Sequence, residues 1–185
     1  MIGEFLRQVT SALDMNEIPY MLTGSIASSM YGVPRATNDI DIVVAPNRQQ
    51  LLSLVQLFKR LGLTVEPNIA LQALKTRNMF NVVDFQRGLK VDLIVCKERD
   101  FSVMEFDRRE THEVEGMRLT IATPEDVLLA KLEWAKIGES EIQLKDAAGI
   151  LRVQGKNLDW AYIEHWVRVL ELGVQWRSAQ DVAAG

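Results

Sequence analysis

Asp39 and Asp41 stand two apart in the run Asp39-Ile40-Asp41-Ile42-Val43-Val44. In a β-strand, residues i and i+2 face the same side, about 6–7 Å apart along the backbone. Ile40, Ile42 and Val44 then face the opposite side, and an apolar face suits a core. Two neighbouring carboxylates repel and resist joint ionisation unless a cation sits between them. A hard divalent cation held through carboxylate oxygens, Mg²⁺ above all, fits that arrangement.

A complementary half lies just upstream. Tyr20-Met21-Leu22-Thr23 reads as a strand, followed by Gly24-Ser25 and a short helix. Gly24 lets a ligand approach the backbone closely, and Ser25 can cap the helix. The first N–H groups of a helix lack intrahelical partners and carry its positive dipole end, which suits phosphate. A phosphate cradle one short helix before a carboxylate pair points to a metal–triphosphate site. The plain alternative is a Gly-Ser turn followed by a solvated acidic strand.

With these residues in place, Gly24-Ser25, a helix, and then Arg35-Ala36-Thr37-Asn38-Asp39-Ile40-Asp41-Ile42 resemble the signature of the DNA polymerase β-type nucleotidyltransferase superfamily. The Arg-x-Thr-x-Asp-x-Asp form is similar to the small bacterial nucleotidyltransferases that include the abortive-infection toxins. The likeness covers roughly the first two thirds of the chain. It implies that Arg35 and Thr37, in the loop before the carboxylates, help shape a nucleotide site; otherwise they are a surface charge and a turn hydroxyl.

A third carboxylate candidate is Asp92, inside Lys90-Val91-Asp92-Leu93-Ile94-Val95. An aspartate within a β-branched run is unfavourable if buried without a partner. The resemblance gives it the role of the superfamily's third carboxylate, on a strand beside the Asp39–Asp41 strand, holding the catalytic metal and helping to deprotonate the attacking hydroxyl. Three carboxylates converging on one point is what a two-metal site needs. Asp84, in the preceding run, is expected to be the exposed acid of the pair.

The positioning elements follow from periodicity and punctuation. Ile2, Phe5, Leu6, Val9 and Leu13 predict a helix over 2–15, and Leu51, Leu54, Val55, Phe58 and Leu61 a second, stopped by Gly62. Residues 68–78 show no clear period and read as a loop or short helix. Two β-rich runs flank Arg87-Gly88 as a tight hairpin. Met117–Ala122 reads as another strand. Thr123-Pro124-Glu125-Asp126 is a strong helix start, with Val127, Leu128, Trp134 and Ala135 as its apolar stripe and Lys131 within that stripe. Ser140 and Gln143 form a capping-box pattern before a helix whose stripe is Ile142, Gly149, Ile150 and Val153, with Asp146 in it. Lys131 and Asp146 are thus either a structural ion pair or, as the resemblance favours, a triphosphate-binding lysine with its supporting aspartate. Asn157 and Asp159 precede a helix carrying Trp160, Ile163, Trp166, Val167 and Leu170, a core or subunit-interface stripe. The last dozen residues read as a frayed helix or a disordered tail.

The 185 residues suit one domain or a domain with an extension. The fold class expected is α/β (α+β): a nucleotidyltransferase core over 1–120, with a mixed sheet and helices against it, and a helical segment over 121–185. A single cysteine, Cys96, excludes an internal disulfide and agrees with a cytoplasmic location. No apolar run approaches the roughly 18 residues of a membrane span. The net charge of −4, with 7 basic and 10 acidic residues from Ile121 onward, argues against a broad nucleic-acid-coating surface. His112 has no partner motif, and Cys96 reads as a small core residue.

The function expected is Mg²⁺-dependent transfer of a nucleoside monophosphate from an NTP to a hydroxyl, releasing pyrophosphate. Asp39 and Asp41 would hold two Mg²⁺ ions with Asp92, while Gly24, Ser25, Arg35, Thr37 and Lys131 would hold the nucleotide. The acceptor stays open between an RNA end, a protein and a small molecule, and the C-terminal helices could serve a homodimer or partner protein. Two alternatives stand: a silent, antitoxin-like binding or regulatory scaffold, and a phosphotransferase that moves a terminal phosphate.

Overall fold

The computed structural model describes residues 2–185 and divides into two compact units that are not contiguous in sequence. The first comprises residues 2–22 and 37–121, the second residues 23–36 and 122–185.

The first unit is built on a mixed sheet. Its strands are β1 (Tyr20–Thr23), β2 (Asp39–Val44), β3 (Met79–Asp84), β4 (Leu89–Val95), β5 (Glu110–Val114) and β6 (Met117–Ile121). Their spatial order is β3-β4-β2-β1-β6-β5. β2 runs parallel to β4 and β1 parallel to β6, while the β3–β4 and β5–β6 hairpins are antiparallel. The period-2 alternation decides which side is which. Ile40, Ile42 and Val44, with Phe80, Val82, Val91, Leu93 and Val95, are at most 2% exposed. Asp39, Asp41, Lys90, Asp92 and Asn81 take the alternate positions and share the other face.

Helices α1 (Ile2–Met15), α3 (Arg48–Arg60), α4 (Pro67–Thr76) and α5 (Asp100–Arg108) complete this unit; α2 (Gly24–Tyr31) belongs to the other. α1 buries Phe5, Leu6, Val9 and Leu13, as its 3.6-residue pattern requires. α3 opens on a capping box, the Asn47 side chain accepting from Gln50 N–H and the Gln50 side chain from Asn47 N–H, and buries Leu51, Leu54, Val55 and Phe58. Leu61 caps its C-terminus and is 41% exposed, so it leaves the stripe. Residues 67–76, which lack a clear period, do form a helix, because Pro67 starts it at the first helical position.

The second unit is helical. Besides α2 it holds α6 (Pro124–Gly138), α7 (Glu141–Gln154), α8 (Trp160–Val169) and α9 (Gly173–Ala184). α6 and α7 both pack on α2. The Thr123 hydroxyl accepts from Asp126 N–H, as the helix-start motif predicts. Several expectations fail here. Trp134 is 59% exposed and not in the buried stripe, which runs through Leu132 and Lys131 instead. Ile142 and Val153 are also exposed, because α7 buries its middle, Asp146 to Leu151, and leaves both ends open. Ser140 sits at the N-cap without a side-chain capping bond. The final dozen residues form α9, held by buried Trp176 and Ala179, and are not a frayed tail. Among the described residues no helix is long and apolar enough to cross a membrane.

Candidate active site

The carboxylate row belongs to the first unit. The parallel register pairs Asp41 with Asp92 and Asp39 with Lys90. Registered partners on neighbouring strands project to the same face, so all three aspartates and Lys90 share one surface. The antiparallel register on the other side of β4 places Asn81 opposite Asp92. Asp39 is exposed, Asp41 half-buried and Asp92 9% exposed. Asp39 N–H donates to Thr37 Oγ1 at 3.2 Å, so Thr37 shapes the entry of β2.

Asp92 has two partners. Asn81 Nδ2 donates to its Oδ1, and Lys90 Nζ lies 3.1 Å from the carboxylate. Lys90 and Asp92 are two apart on one strand, the same spacing that aligns Asp39 with Asp41. Sequence reading passed over Lys90, although that spacing was the signal for it. Among the described residues no group of three or more Asp, Glu, His or Cys side chains is drawn together tightly enough to hold a metal ion. The donor set itself is all hard carboxylate oxygen and suits Mg²⁺. An ammonium already rests against one of these carboxylates, where a cation is what the charge pattern asks for.

Asp84 is the reverse of the expectation: it is 4% exposed. Its Oδ1 accepts from Gln86 N–H and Arg87 N–H, and its Oδ2 from Arg87 Nη1 at 2.8 Å. The Arg87 N–H bond is the largest influence, and together these bonds hold the carboxyl below the usual aspartate range. This acid closes the β3–β4 turn, because a short side chain at a turn can take the freed backbone donors.

The second unit carries a cationic cluster of its own, around Ser25 and Asp146. Gly24 has φ +66°, in the left-handed region that favours glycine. Thr23 is the N-cap, so Ser25 is the second helical residue and does not cap α2 as expected. Its hydroxyl instead accepts from Arg35 Nη2 at 2.7 Å and lies 3.4 Å from Lys131 Nζ. Asp146 takes both cations. Arg35 grips it with Nε to Oδ1 at 2.8 Å and Nη2 to Oδ2 at 3.0 Å, and Lys131 Nζ donates to Oδ2 at 2.8 Å. Ser28 Oγ adds a longer contact at 3.4 Å. Lys131 is 3% exposed and Asp146 9%, so both charges are desolvated and each needs the other. Burial alone raises the Asp146 carboxyl, but the bonds from Arg35 and Lys131 outweigh it and hold the group below the usual range.

Two cations, Arg35 and Lys131, share the Asp146 carboxylate. The cluster surrounds Ser25 in the first turn of α2, whose dipole adds positive potential. Asp146 holds both cations in place, so an ion pair and a phosphate-binding role for Lys131 are not exclusive. Arg35, treated in the sequence as equally a surface charge, is fixed by a bidentate grip.

The remaining candidates lie elsewhere. His112 is on β5, at the sheet edge away from β2, beside Glu110. Cys96 is half-buried, and burial is the main reason its thiol is pushed up, the opposite of an activated nucleophile.

No protein-family model and no curated protein matches the chain. Solved structures do. The crystal structure of ANT(2″)-Ia in complex with adenylyl-2″-tobramycin matches with a TM-score of 0.59 at 14% identity, over 91% of this chain and 95% of that one. A nucleotidyltransferase from Thermotoga maritima, TM1012, matches with a TM-score of 0.53 at 18% identity, over 76% and 89%. The lincosamide antibiotic adenylyltransferase LnuA, lincomycin-bound, matches with 0.52 at 14% identity, over 77% and 91%. At these identities the likeness establishes the fold: the chain has the mixed α/β architecture of the nucleotidyltransferases.

Proposed function

We propose that this protein is a nucleotidyltransferase that moves a nucleoside monophosphate from an NTP to a hydroxyl and releases pyrophosphate. The observation that carries the proposal is the register of β2 and β4, which sets Asp39, Asp41 and Asp92 on one face of a sheet of this fold. Mg²⁺ held by these three carboxylates would neutralise the triphosphate and acidify the attacking hydroxyl. Asp92, 9% exposed and bonded by Asn81, would accept the hydroxyl's proton. Ser25, Arg35 and Lys131 bring donors of the kind that bind the β- and γ-phosphates. Asp146 fixes Arg35 and Lys131 and does not itself meet the substrate. Transfer of this kind asks little covalent chemistry of a protein, so positioning and charge carry the rate.

As acceptor we favour a small molecule. ANT(2″)-Ia was captured with an adenylylated tobramycin and LnuA with lincomycin, and the present chain spans most of the length of both. The resemblance of the Arg35–Asp41 motif to toxin-type enzymes keeps an RNA end or a protein hydroxyl as the competing acceptors.

The test is incubation of the purified protein with each α-labelled NTP, Mg²⁺ and a cell extract, beside the Asp39→Ala/Asp41→Ala variant. The expected result is a labelled product, resistant to RNase and protease, made only by the native protein. Label in product from γ-labelled but not α-labelled NTP would replace the proposal with a phosphotransferase. A specific observation supports a second reading: the Lys90–Asp92 pair would suit a scaffold that binds nucleotide without turnover. Binding of Mg–NTP with no labelled product from any extract would favour it.

A further inference from the structure

We propose that Lys90 is a placeholder cation for the carboxylate row, so that a divalent metal ion enters only by displacing its ammonium from Asp92. The inference rests on the metal-binding reading above and adds to it a residue that sets how tightly, and by what exchange, the metal binds.

The argument begins with charge on one face. Asp39, Asp41 and Asp92 occupy neighbouring register positions, with Asp41 directly opposite Asp92. Like charges facing each other across two strands are destabilising. Lys90 stands in the same two-by-two block, opposite Asp39 and two residues before Asp92. Its ammonium lies 3.1 Å from the Asp92 carboxylate, and Asn81 holds the carboxylate from the other side. Lys90 thus brings a positive charge onto Asp92 within that block.

The pairing is reversible by construction. The Lys90 side chain is 44% exposed, whereas that of Asp92 is 12% exposed. The carboxylate is therefore held by its surroundings, while the lysine has a flexible four-carbon stem and open solvent to swing into. A pair with one half-exposed member is weak, and a divalent ion carries twice the charge. The ion and the ammonium cannot both occupy Asp92 without repelling each other. Exchange of one for the other keeps a cation on Asp92 throughout, and the released ammonium stays tethered to the same strand.

The test measures metal binding and not turnover. Mn²⁺ is titrated into the full-length protein and its free fraction read by electron paramagnetic resonance. The proteins compared are the native chain, Lys90→Met and Lys90→Arg, with Lys90→Gln in place of the Met variant should that one fold poorly. The same comparison is made in an Asp92→Asn background. Lys90→Met is expected to bind Mn²⁺ roughly three- to thirtyfold more tightly. That range is bracketed by the worth of an exposed pair and by the repulsion between an ammonium and a divalent ion about 4 Å apart in water. Lys90→Arg keeps the charge and should stay near the native affinity, and Asp92→Asn should abolish the gain.

Equal or weaker Mn²⁺ binding by a folded Lys90→Met protein overturns the placeholder role while leaving the metal site standing. A gain that survives in the Asp92→Asn background overturns the assignment to Asp92. Absence of Mn²⁺ binding by every variant overturns both this inference and the metal-dependent reading beneath it.

Discussion

Asp41 and Asp92 face each other in register across the parallel strands β2 and β4, from a sheet whose opposite face is close-packed apolar side chains. Two acids directly opposed on neighbouring strands work against folding and for cation binding. In the metal-free protein, Asp41→Asn should therefore be more favourable with Asp92 present than in an Asp92→Asn background, by about 0.5 kcal/mol, or roughly 1–2 °C in Tm. The same change should lower transfer by about 10³-fold or more, as loss of a metal ligand does in metal-assisted chemistry. Thermal melts in a chelator, alongside the labelled-NTP assay, check both halves. Equal Tm changes in the two backgrounds would show that the two acids do not repel.

Lys131 separates phosphate binding from metal binding. It is buried in α6 and reaches Ser25 and Asp146, both in the second unit, whereas the metal ligands proposed here lie in the first. Lys131→Met should weaken Mg–NTP binding about tenfold or more, since a charge-assisted bond to phosphate is worth roughly 1.5–3 kcal/mol. Mn²⁺ affinity without nucleotide should be unchanged. Equilibrium dialysis with labelled NTP, set against Mn²⁺ titration, tests the split, and parallel losses in both would remove it.

Asp146 predicts an acid-side loss of stability. Its carboxyl lies below the usual range in the folded protein, so its contribution is complete above the unfolded value of about 3.9 and is lost as pH falls through the lower folded value. Asp146→Asn should flatten part of the stability decline below about pH 5. The decline should not vanish, because Asp84 is shifted the same way by Arg87. At neutral pH the variant leaves Lys131 buried without a counter-ion and should lose about 3 kcal/mol. Urea unfolding at a series of pH values reads both effects. An unchanged slope on the acid side would show that Asp146 is not the linked group.

Gly32 predicts a steric dependence of the cationic cluster. A Cβ at this position would meet Ile150 N at 2.8 Å and the Gly149 carbonyl carbon at 2.9 Å, so α2 ends against the backbone of α7. Gly149 mirrors it, with a Cβ there 3.1 Å from Val33 N. Backbone cannot swing aside as a side chain does. Gly32→Ala should lower stability by about 1–3 kcal/mol, the usual penalty of overpacking. It should also raise the KM for NTP, because Arg35 follows Gly32 by three residues and must reach Asp146. Native stability together with a native KM in this variant would show that the approach is slack.

Much of this protein was legible in its sequence, for local reasons. Strict alternation in Asp39–Val44 determined which residues of β2 face the core and which bear charge, since a strand has only two sides. Helical spacing did the same for α1 and α3, and Thr123-Pro124 marked the start of α6 because its cap needs only adjacent residues. The two-residue spacing of Lys90 and Asp92 was there to be read as well.

Tertiary structure decided what depends on a neighbour's register or packing. That Asp41 rather than Asp39 stands opposite Asp92 is a property of strand pairing, and no spacing within one strand contains it. Asp84 and Asp92 look alike in sequence; the turn at Arg87 takes the first, while Lys90 and Asn81 bind the second. Trp134, Ile142 and Val153 fit helical stripes but lie exposed, because a helix buries only as wide an arc as its neighbours cover. Arg35, Lys131 and Asp146 come from three distant segments, and only packing of α6 and α7 on α2 brings their charges to one serine. The sequence by itself determined which residues could carry chemistry, since types and periods are local; the fold decided which of them meet, since desolvation and charge pairing depend on distances across the chain.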